Sequence, residues 1–312
     1  MFERILGQVS VKSKLKRAIE TGNITNVYLL TGPEGVGKKM VAEDFAESLL
    51  GLRLENSPDY KCIGVKKGEN SIKIDQIRDM IGDMSIKPYG DYKIFIIDDA
   101  DKMTIQAQNA LLKTLEEPSA YGIIILVARN DQALLDTIRS RCLEIKFAPL
   151  TNRDIRAILS EKGIDDDQAQ VASIFSRGSA SRALDICESQ DLKLMRQDLE
   201  SYLEIIFIDK NKYELARMGE NFKAYAKDYA NLIDLFRYYI RDIVLLKEGI
   251  DPGLIINYDR LDLLRRLARK LSISKLGQIM DLLDEGQTKL TANCHFVTTI
   301  EAMALNIYEV IN

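Results

Sequence analysis

The sequence feature that most restricts the fold is a glycine-rich segment after a run of apolar residues. Residues 27–30 are apolar, residues 32–38 fit the pattern G-x-x-x-x-G-K, and a helical apolar pattern follows. Glycines let the backbone curl until several N–H groups point at one anion, the start of a helix adds partial positive charge, and Lys38 can reach a terminal phosphate. The sequence therefore predicts a buried strand, a phosphate-binding loop and a helix, in that order.

This loop departs from the usual pattern at its last position. The pattern continues with Ser or Thr, whose hydroxyl holds Mg²⁺, whereas this chain has Lys39, and an ammonium group cannot ligate a cation. We therefore expect the loop to hold phosphate groups without a dedicated Mg²⁺ site, and to bind ATP weakly or not at all. The candidate nucleotide-binding residues of the loop are Gly32, Gly35, Val36, Gly37, Lys38 and Lys39.

A second apolar run ends in acidic residues. The large apolar residues 94–97 precede Asp98 and Asp99, a pattern typical of a central parallel strand whose carboxyl end opens into a ligand crevice. In P-loop NTPases an acid placed like Asp98 orients hydrated Mg²⁺. The next residue is usually Glu in hydrolases of this type. Asp99 would fall more than about 1 Å short of an attacking water, which matters where catalysis depends on positioning.

Strands and helices alternate through the first half of the chain, which predicts a doubly wound α/β domain. Ser10 is the predicted cap of a first helix that ends at Gly22, and Thr104 begins a helix that Pro118 stops. Other predicted elements are strands over 61–65, 123–128 and 143–147 and a helix that runs to about Ser85.

From Pro149 onward the strands stop. Thr151 and Asp154 form a predicted capping box, a helix is expected over about 166–175, and the rest is helical almost throughout, with a turn at Pro252 and Gly253. We predict three domains, over residues 1–148, 149–190 and 191–312. Two apolar stripes of the last domain are expected to be bundle core: Leu232, Leu235, Phe236, Tyr239 and Ile243, and Leu261, Leu264, Leu267 and Leu271.

Composition argues against several classes of protein. A net charge of −4 does not favour a protein that coats nucleic acid by bulk electrostatics. No apolar run approaches the roughly 20 residues of a membrane span, and the first residues lack a signal-peptide layout, so we expect a cytoplasmic protein. The four cysteines lie far apart without a C-x-x-C pair, which predicts reduced thiols rather than disulfides or a zinc site.

Four segments together resemble the clamp-loader subunits of bacterial DNA polymerase III, a family of the AAA+, RecA-like P-loop class. They are the loop at 32–38, the acidic box at 98–101, the run 109–118 and the Ser-Arg-Cys sequence at 140–142. Residues 134–142 are more similar to the delta-prime branch than to the tau/gamma ATPase branch. The resemblance covers about residues 5–185, and beyond them it rests on helical character and length.

The resemblance implies roles for two arginines. Arg141 would be an arginine finger that reaches the γ-phosphate bound by a neighbouring subunit, because a planar, permanently charged guanidinium suits a phosphoryl oxygen. Arg182 would be the lid-domain arginine that points at a bound nucleotide. Each has a plainer alternative, a surface arginine beside a strand for Arg141 and a water-exposed arginine at a helix start for Arg182. Arg129 stands near the position of a polar sensor residue in active relatives.

The resemblance also implies an assembly, a hetero-oligomeric ring held by the third domain as a collar. Its other members would be tau/gamma-like ATPase subunits and a delta-like subunit, which act on a sliding clamp and primer–template DNA. Many relatives carry a four-cysteine zinc module after the phosphate-loop helix, but residues 52–59 contain no cysteine, so no zinc is expected.

Three functions are compatible with these features. The favoured interpretation is a structural and regulatory clamp-loader subunit that does not itself hydrolyse ATP. The alternatives are an active AAA+ ATPase subunit with an unusual Mg²⁺ site, and a nucleotide-dependent switch in repair or recombination. Lys39, Asp99 and Arg129 favour the first over the second, and the Ser-Arg-Cys sequence favours either over the third.

Overall fold

The computed structural model describes residues 1–189, 191–250 and 254–312. They divide into two compact units, the first formed by Met1–Gly163 with Ser176–Ala183, and the second by Ile164–Phe175 with Leu184–Asn312. The domain boundaries expected after residues 148 and 190 stay a prediction. The turn expected at Pro252 and Gly253 lies outside the described residues.

The first unit contains a five-stranded parallel sheet in the order β2-β3-β4-β1-β5. Every residue of β1, β3 and β4 is buried, as expected for parallel strands that are covered on both faces. This sheet confirms the predicted α/β class. The strands are β1 (Val27–Thr31), β2 (Tyr60–Ile63), β3 (Lys93–Ile97), β4 (Gly122–Ala128) and β5 (Leu143–Lys146).

Helices connect these strands and continue beyond them. In chain order they are α1 (Val9–Thr21), α2 (Lys38–Leu50), α3 (Ile74–Met84), α4 (Ile105–Glu116), α5 (Asp136–Arg139), α6 (Asn152–Glu161), α7 (Asp166–Phe175) and α8 (Ala180–Glu188). Helix α7 belongs to the second unit, and α8 begins in the first. The predicted capping box at the start of α6 is confirmed, since Asp154 N–H donates to Thr151 Oγ1 at 3.1 Å and the Asp154 carboxylate accepts from Thr151 N–H at 3.3 Å.

Two local predictions are wrong. Gln8 stands at the N-cap position of α1, in a left-handed conformation with φ of 48° and without a side-chain capping bond, and Ser10 lies inside the helix, although Gly22 ends it as predicted. Strand β2 covers Tyr60–Ile63 rather than 61–65, because β3, with which it pairs, ends at Ile97, directly opposite Ile63. In both cases the neighbouring structure overrides a local preference.

The second unit is helical, as predicted. Beyond α7 and the end of α8 it contains α9 (Asp191–Glu204), α10 (Lys212–Leu215), α11 (Met218–Asn221), α12 (Tyr229–Lys247), α13 (Leu261–Lys270), α14 (Ile273–Thr291) and α15 (Phe296–Ile311). The two predicted apolar stripes are buried in its core, apart from the half-buried Leu261. Among the described residues, no helix is both long enough and apolar enough to cross a membrane.

Candidate functional site

The phosphate-loop sequence lies at the carboxyl end of β1, between Thr31 and the first residue of α2. Gly32, Gly35 and Gly37 have φ values of +139°, +70° and +90°, which residues other than glycine rarely adopt. A Cβ atom at Gly32 would also lie 2.4 Å from the backbone oxygen of Phe147. The glycine spacing that suggested a phosphate loop is therefore needed by the backbone path itself, and Val36 is buried between the last two glycines.

Lys38 lies inside this loop. Its Nζ donates hydrogen bonds to the carbonyl oxygens of Gly32 at 2.7 Å and Pro33 at 2.6 Å, and the residue is only 7% exposed. Burial, with a smaller contribution from the nearby Arg129 charge, lowers the pKa of Lys38. To bind a phosphate, this ammonium group must exchange its two carbonyl partners for phosphate oxygens.

Lys39 occupies the position at which metal-dependent loops carry a hydroxyl ligand. Its Nζ lies 3.0 Å from Oδ2 of Asp98, the carboxylate that the sequence offers for hydrated Mg²⁺. Burial lowers the pKa of Lys39, but the hydrogen bond and charge of Asp98 outweigh it, and the pKa is raised. Mg²⁺ therefore does not fit this arrangement, because a fixed positive charge already lies against the only carboxylate proposed to receive it.

Arg129 connects the loop to the ends of two neighbouring strands. It follows β4, and its Nη1 lies 2.5 Å from the Glu34 carboxylate of the loop, while its Nε lies 3.5 Å from Asp99. Its backbone N–H donates to Asp101 at 2.9 Å. Near the expected sensor position, the chain thus has an arginine whose side chain contacts two carboxylates and whose backbone N–H donates to a third.

Asp99 is held by cations on both oxygens. Lys102 Nζ lies 2.8 Å from Oδ2, and Arg129 contacts Oδ1. Burial raises the pKa of Asp99, but Lys102 and Arg129 outweigh it, so the pKa lies below its ordinary value. A carboxylate held in this way is poorly suited to take a proton from an attacking water.

The segment that carries Arg182 lies against the same loop. The N–H of Ala180 donates to the carbonyl of Gly35 at 2.8 Å. A Cβ atom at Gly35 would lie 2.1 Å from the Ser181 hydroxyl and 2.2 Å from that of Ser179. Arg182 is half-buried, and its N–H donates to Ser179 Oγ at 3.3 Å. The structure therefore brings this segment to the loop, while the role of the Arg182 side chain stays a prediction.

Arg141 lies near the amino ends of the strands, whereas the phosphate loop lies at their carboxyl ends. It precedes β5, whose first residue Leu143 pairs with Tyr28 near the beginning of β1. At about 3.3 Å per residue, the four residues from Tyr28 to Gly32 separate the two levels by roughly 13 Å. Arg141 is thus not brought together with the loop of its own chain.

The Arg141 guanidinium is held at the surface by a carboxylate, a backbone carbonyl and, at 3.4 Å, the Ser140 hydroxyl. Its Nη2 lies 2.7 Å from Glu116 at the end of α4, and its Nη1 donates to the carbonyl of Thr137 at 2.8 Å, with 35% of the side chain exposed. The neighbouring Arg139 instead contacts two carboxylates, those of Asp131 and Asp136. Of the two arginines, Arg141 is the one bound by a single carboxylate.

Sequence reasoning missed the partners of both arginines. Glu34 and Arg129 are 95 residues apart, and Arg141 and Glu116 are 25 residues apart. Nothing local marks either pair. The second pair joins two segments that had separately suggested the clamp-loader resemblance.

The sequence predicts four reduced cysteines. All four are free thiols, and burial raises the pKa of Cys142 to about 12, so that thiol stays protonated. Within residues 1–189, 191–250 and 254–312, no cluster of three or more His, Cys, Asp or Glu side chains is placed to hold a metal ion. The expected lack of zinc stays a prediction.

Two family descriptions match this chain. Residues 7–151 match "DNA polymerase III, delta subunit", and residues 190–295 match "DNA polymerase III, delta subunit, C terminal".

Individual relatives are of the same kind. DNA polymerase III subunit tau of Bacillus subtilis is 28% identical, with 94% of this chain and 59% of the relative covered, so the chain spans less than two thirds of that protein. Subunit delta' of B. subtilis is 25% identical, with 97% and 96% covered. Subunit delta' of Pseudomonas aeruginosa is 34% identical over a shorter region, 38% of this chain and 42% of the relative.

Proposed function

We propose, on the premise that this chain belongs to the delta-prime-type clamp-loader subunits of DNA polymerase III, that it assists ATP-driven loading of a sliding clamp without hydrolysing ATP itself. In this proposal Arg141 acts in trans on ATP held by a neighbouring subunit. The neighbours would be tau/gamma-like ATPase subunits and a delta-like subunit, and the assembly would act in the cytoplasm on the clamp and primer–template DNA.

The observation that carries the proposal is the location of Arg141. It lies at the amino ends of the strands, remote from the phosphate loop at their carboxyl ends, with about a third of its side chain exposed. A cation placed there cannot serve its own loop, but it can reach a nucleotide bound on an adjacent molecule. A planar guanidinium supports transfer of a phosphoryl group by balancing the charge that develops on its oxygens.

The second part of the proposal concerns the chain's own loop. Hydrolysis requires a metal ion and an acid that directs water, and here Lys39 lies on Asp98 while Asp99 is engaged by two cations. The competing function is an active tau/gamma-like ATPase subunit, which the glycine geometry of the loop and the similarity to subunit tau favour.

Steady-state ATPase measurements on the isolated chain separate these two functions. We expect negligible activity, because neither the metal nor the water-directed acid has its usual surroundings. Turnover above about 0.1 s⁻¹, within reach of the ordinary enzyme range, would favour the active ATPase subunit instead.

Arg141→Ala in the reconstituted loader tests the action in trans. We expect ATP turnover at the one site that borders this chain to fall by about 10³-fold or more, since arginine fingers contribute at that scale. Arg141→Lys should restore little, because lysine keeps the charge and loses the two-pronged guanidinium. The remaining ATP sites are disabled beforehand, so that only the bordering site is measured.

Arg78→Ala is the matched control, since Arg78 is a surface arginine on α3 with a single weak acidic contact, Asp75 at 3.9 Å. It should leave turnover unchanged. If Arg141→Ala also leaves turnover unchanged in an assembly shown to be intact, Arg141 is a surface residue and the chain is a scaffold that closes the ring.

A further inference from the structure

The Lys39–Asp98 pair does more than remove a magnesium ligand. In a metal-dependent loop, Mg²⁺ lies next to the acidic end of the strand and balances the charge of the phosphates. The loop hydroxyl and the strand-end carboxylate hold this Mg²⁺ and its water ligands. Here an ammonium group lies 3.0 Å from that carboxylate, attached to the second residue of α2. The covalent chain therefore supplies a positive charge where the metal would otherwise be required.

We infer that the phosphate loop is a metal-independent polyphosphate site, in which Lys39 replaces Mg²⁺ as the countercharge beside Asp98. The ligand class is the metal-free polyphosphate group of a nucleoside di- or triphosphate. This inference rests on the part of the proposed function that leaves the loop able to hold phosphate without hydrolysing it, and it does not depend on Arg141.

The charges around the loop determine whether Mg²⁺ should tighten or weaken polyphosphate binding. Three cations face the loop: Lys38, Lys39 and Arg129. Five acids lie around them: Glu34, Glu43, Asp98, Asp99 and Asp101. A metal-free polyphosphate can share the ammonium groups with these acids. A polyphosphate that carries Mg²⁺ brings a divalent cation against Lys39 and has less negative charge to attract Lys38.

Two observations support this assignment. The Lys39 ammonium group lies 3.0 Å from Asp98 Oδ2, so its charge is held at the end of the strand. Lys38 is enclosed by the loop, and its Nζ donates to the neutral carbonyl oxygens of Gly32 and Pro33, so these carbonyls rather than a carboxylate are displaced when it turns to a phosphate. The loop thus has one cation already matched to an acid and one ready for a ligand.

Calorimetric titration of the full chain tests the sign. The ligands are ATP, ADP and inorganic tripolyphosphate, each measured with EDTA and with millimolar Mg²⁺. We expect binding to be roughly threefold or more tighter in EDTA, because Mg²⁺ converts free ligand into a complex that binds less well. A metal-dependent loop would show the reverse. Similar behaviour of ATP and tripolyphosphate would support recognition of the polyphosphate group alone, and binding of ATP only, with this sign, would support a nucleotide site.

Substitutions at position 39 reverse or remove the effect. Lys39→Thr completes the G-x-x-x-x-G-K-[ST] pattern and frees Asp98, so Mg²⁺ should now tighten binding. Lys39→Met removes the charge without supplying a ligand, so binding should weaken in both buffers. Lys61→Thr is the matched control, because Lys61 is a similarly exposed lysine paired with Asp83 at 2.6 Å, and it should keep the wild-type sign.

Three results would overturn the inference. They are tighter binding of the unmodified chain with Mg²⁺ than with EDTA, no detectable binding of any of the ligands in EDTA, and a Lys39→Thr variant that keeps the wild-type sign. Arg141→Ala should leave every titration unchanged. A failure here is therefore distinguishable from a failure of the arginine finger, which is measured by turnover at a neighbouring site.

Discussion

The two ends of the parallel sheet treat their cations differently. At the carboxyl ends, Lys38, Lys39 and Arg129 are all bonded to groups of the loop or of the adjacent strand ends. At the amino ends, Arg141 is held by one carboxylate, one carbonyl and a long contact to the Ser140 hydroxyl, and about a third of its side chain is exposed. Positively charged side chains are thus paired within the molecule at the carboxyl ends and partly exposed to solvent at the amino ends.

Under the proposed function, this difference separates the chain's own phosphate loop from the arginine that acts on a neighbour. The loop retains the glycine conformations that curl its backbone, while the charges that hydrolysis would use are paired with one another. The surface around Arg141 depends on none of these pairs. The proposed action of Arg141 on a neighbour is therefore independent of the charges in the chain's own loop.

The largest effect that can break the inward-facing end is expected for Gly32→Ala. The new Cβ atom would lie 2.4 Å from the backbone oxygen of Phe147, at a φ of +139°, and a backbone oxygen cannot rotate away. We expect the first unit to lose about 2–4 kcal/mol of unfolding free energy. Hydrogen exchange of the β1 and β4 amides measures this loss for the first unit alone.

Gly37→Ala is the control for backbone strain without crowding. Its φ is +90°, and a Cβ atom there would meet no atom within 4 Å. We expect a cost of about 1–2 kcal/mol from the left-handed conformation alone. Equal costs for the two variants would mean that the Phe147 backbone yields easily, and that the loop is less firmly held than the sheet geometry implies.

A smaller loss of stability is expected when either arginine is replaced by alanine, and its size should differ between Arg129 and Arg141. Arg129→Ala breaks contacts with two carboxylates and should cost about 0.5–1 kcal/mol at neutral pH, whereas Arg141→Ala should cost about 0.3 kcal/mol or less. Asp99 has a pKa below its ordinary value of 3.8, so its stabilising contribution is complete above that pH and is lost as the pH falls through the lowered value. The difference between the variants should therefore shrink as the pH falls below 3.8.

The same hydrogen-exchange measurement at several pH values gives this comparison. A difference that persists unchanged into acid would show that Arg129 stabilises the loop by packing rather than through Asp99. An equal cost for both arginines at neutral pH would remove the distinction between an inward and an outward cation.

The sequence was sufficient where the signal is local. The spacing of Gly32, Gly35 and Gly37 located the loop, and uninterrupted apolar runs located the central strands to within a residue or two. Thr151 and Asp154, three residues apart, were enough to predict the start of α6. Each of these features is decided by neighbours along the chain.

The parts that sequence reasoning missed are contacts between distant segments. Glu34 meets Arg129 only because the carboxyl ends of β1 and β4 are adjacent, and Ser181 reaches Gly35 only because its segment packs back onto the loop. The prediction that Ser10 caps α1 was wrong for a related reason. The residue at the N-cap position, Gln8, donates its side-chain amide to the carbonyl of Ala148, far along the chain. Charge and hydroxyl partners depend on tertiary placement, which residue patterns do not encode.

The segment Ser176–Ala183 has a consequence for how such a chain can be divided or recombined. It folds with the sheet, although the segments before and after it, Ile164–Phe175 and Leu184–Asn312, belong to the helical unit. A fragment that ends at Gly163 would keep every strand of the sheet but lose Ala180, which caps the carbonyl of Gly35. No single cut yields both units intact, so an exchange of modules between relatives has to move at least two pieces of chain together.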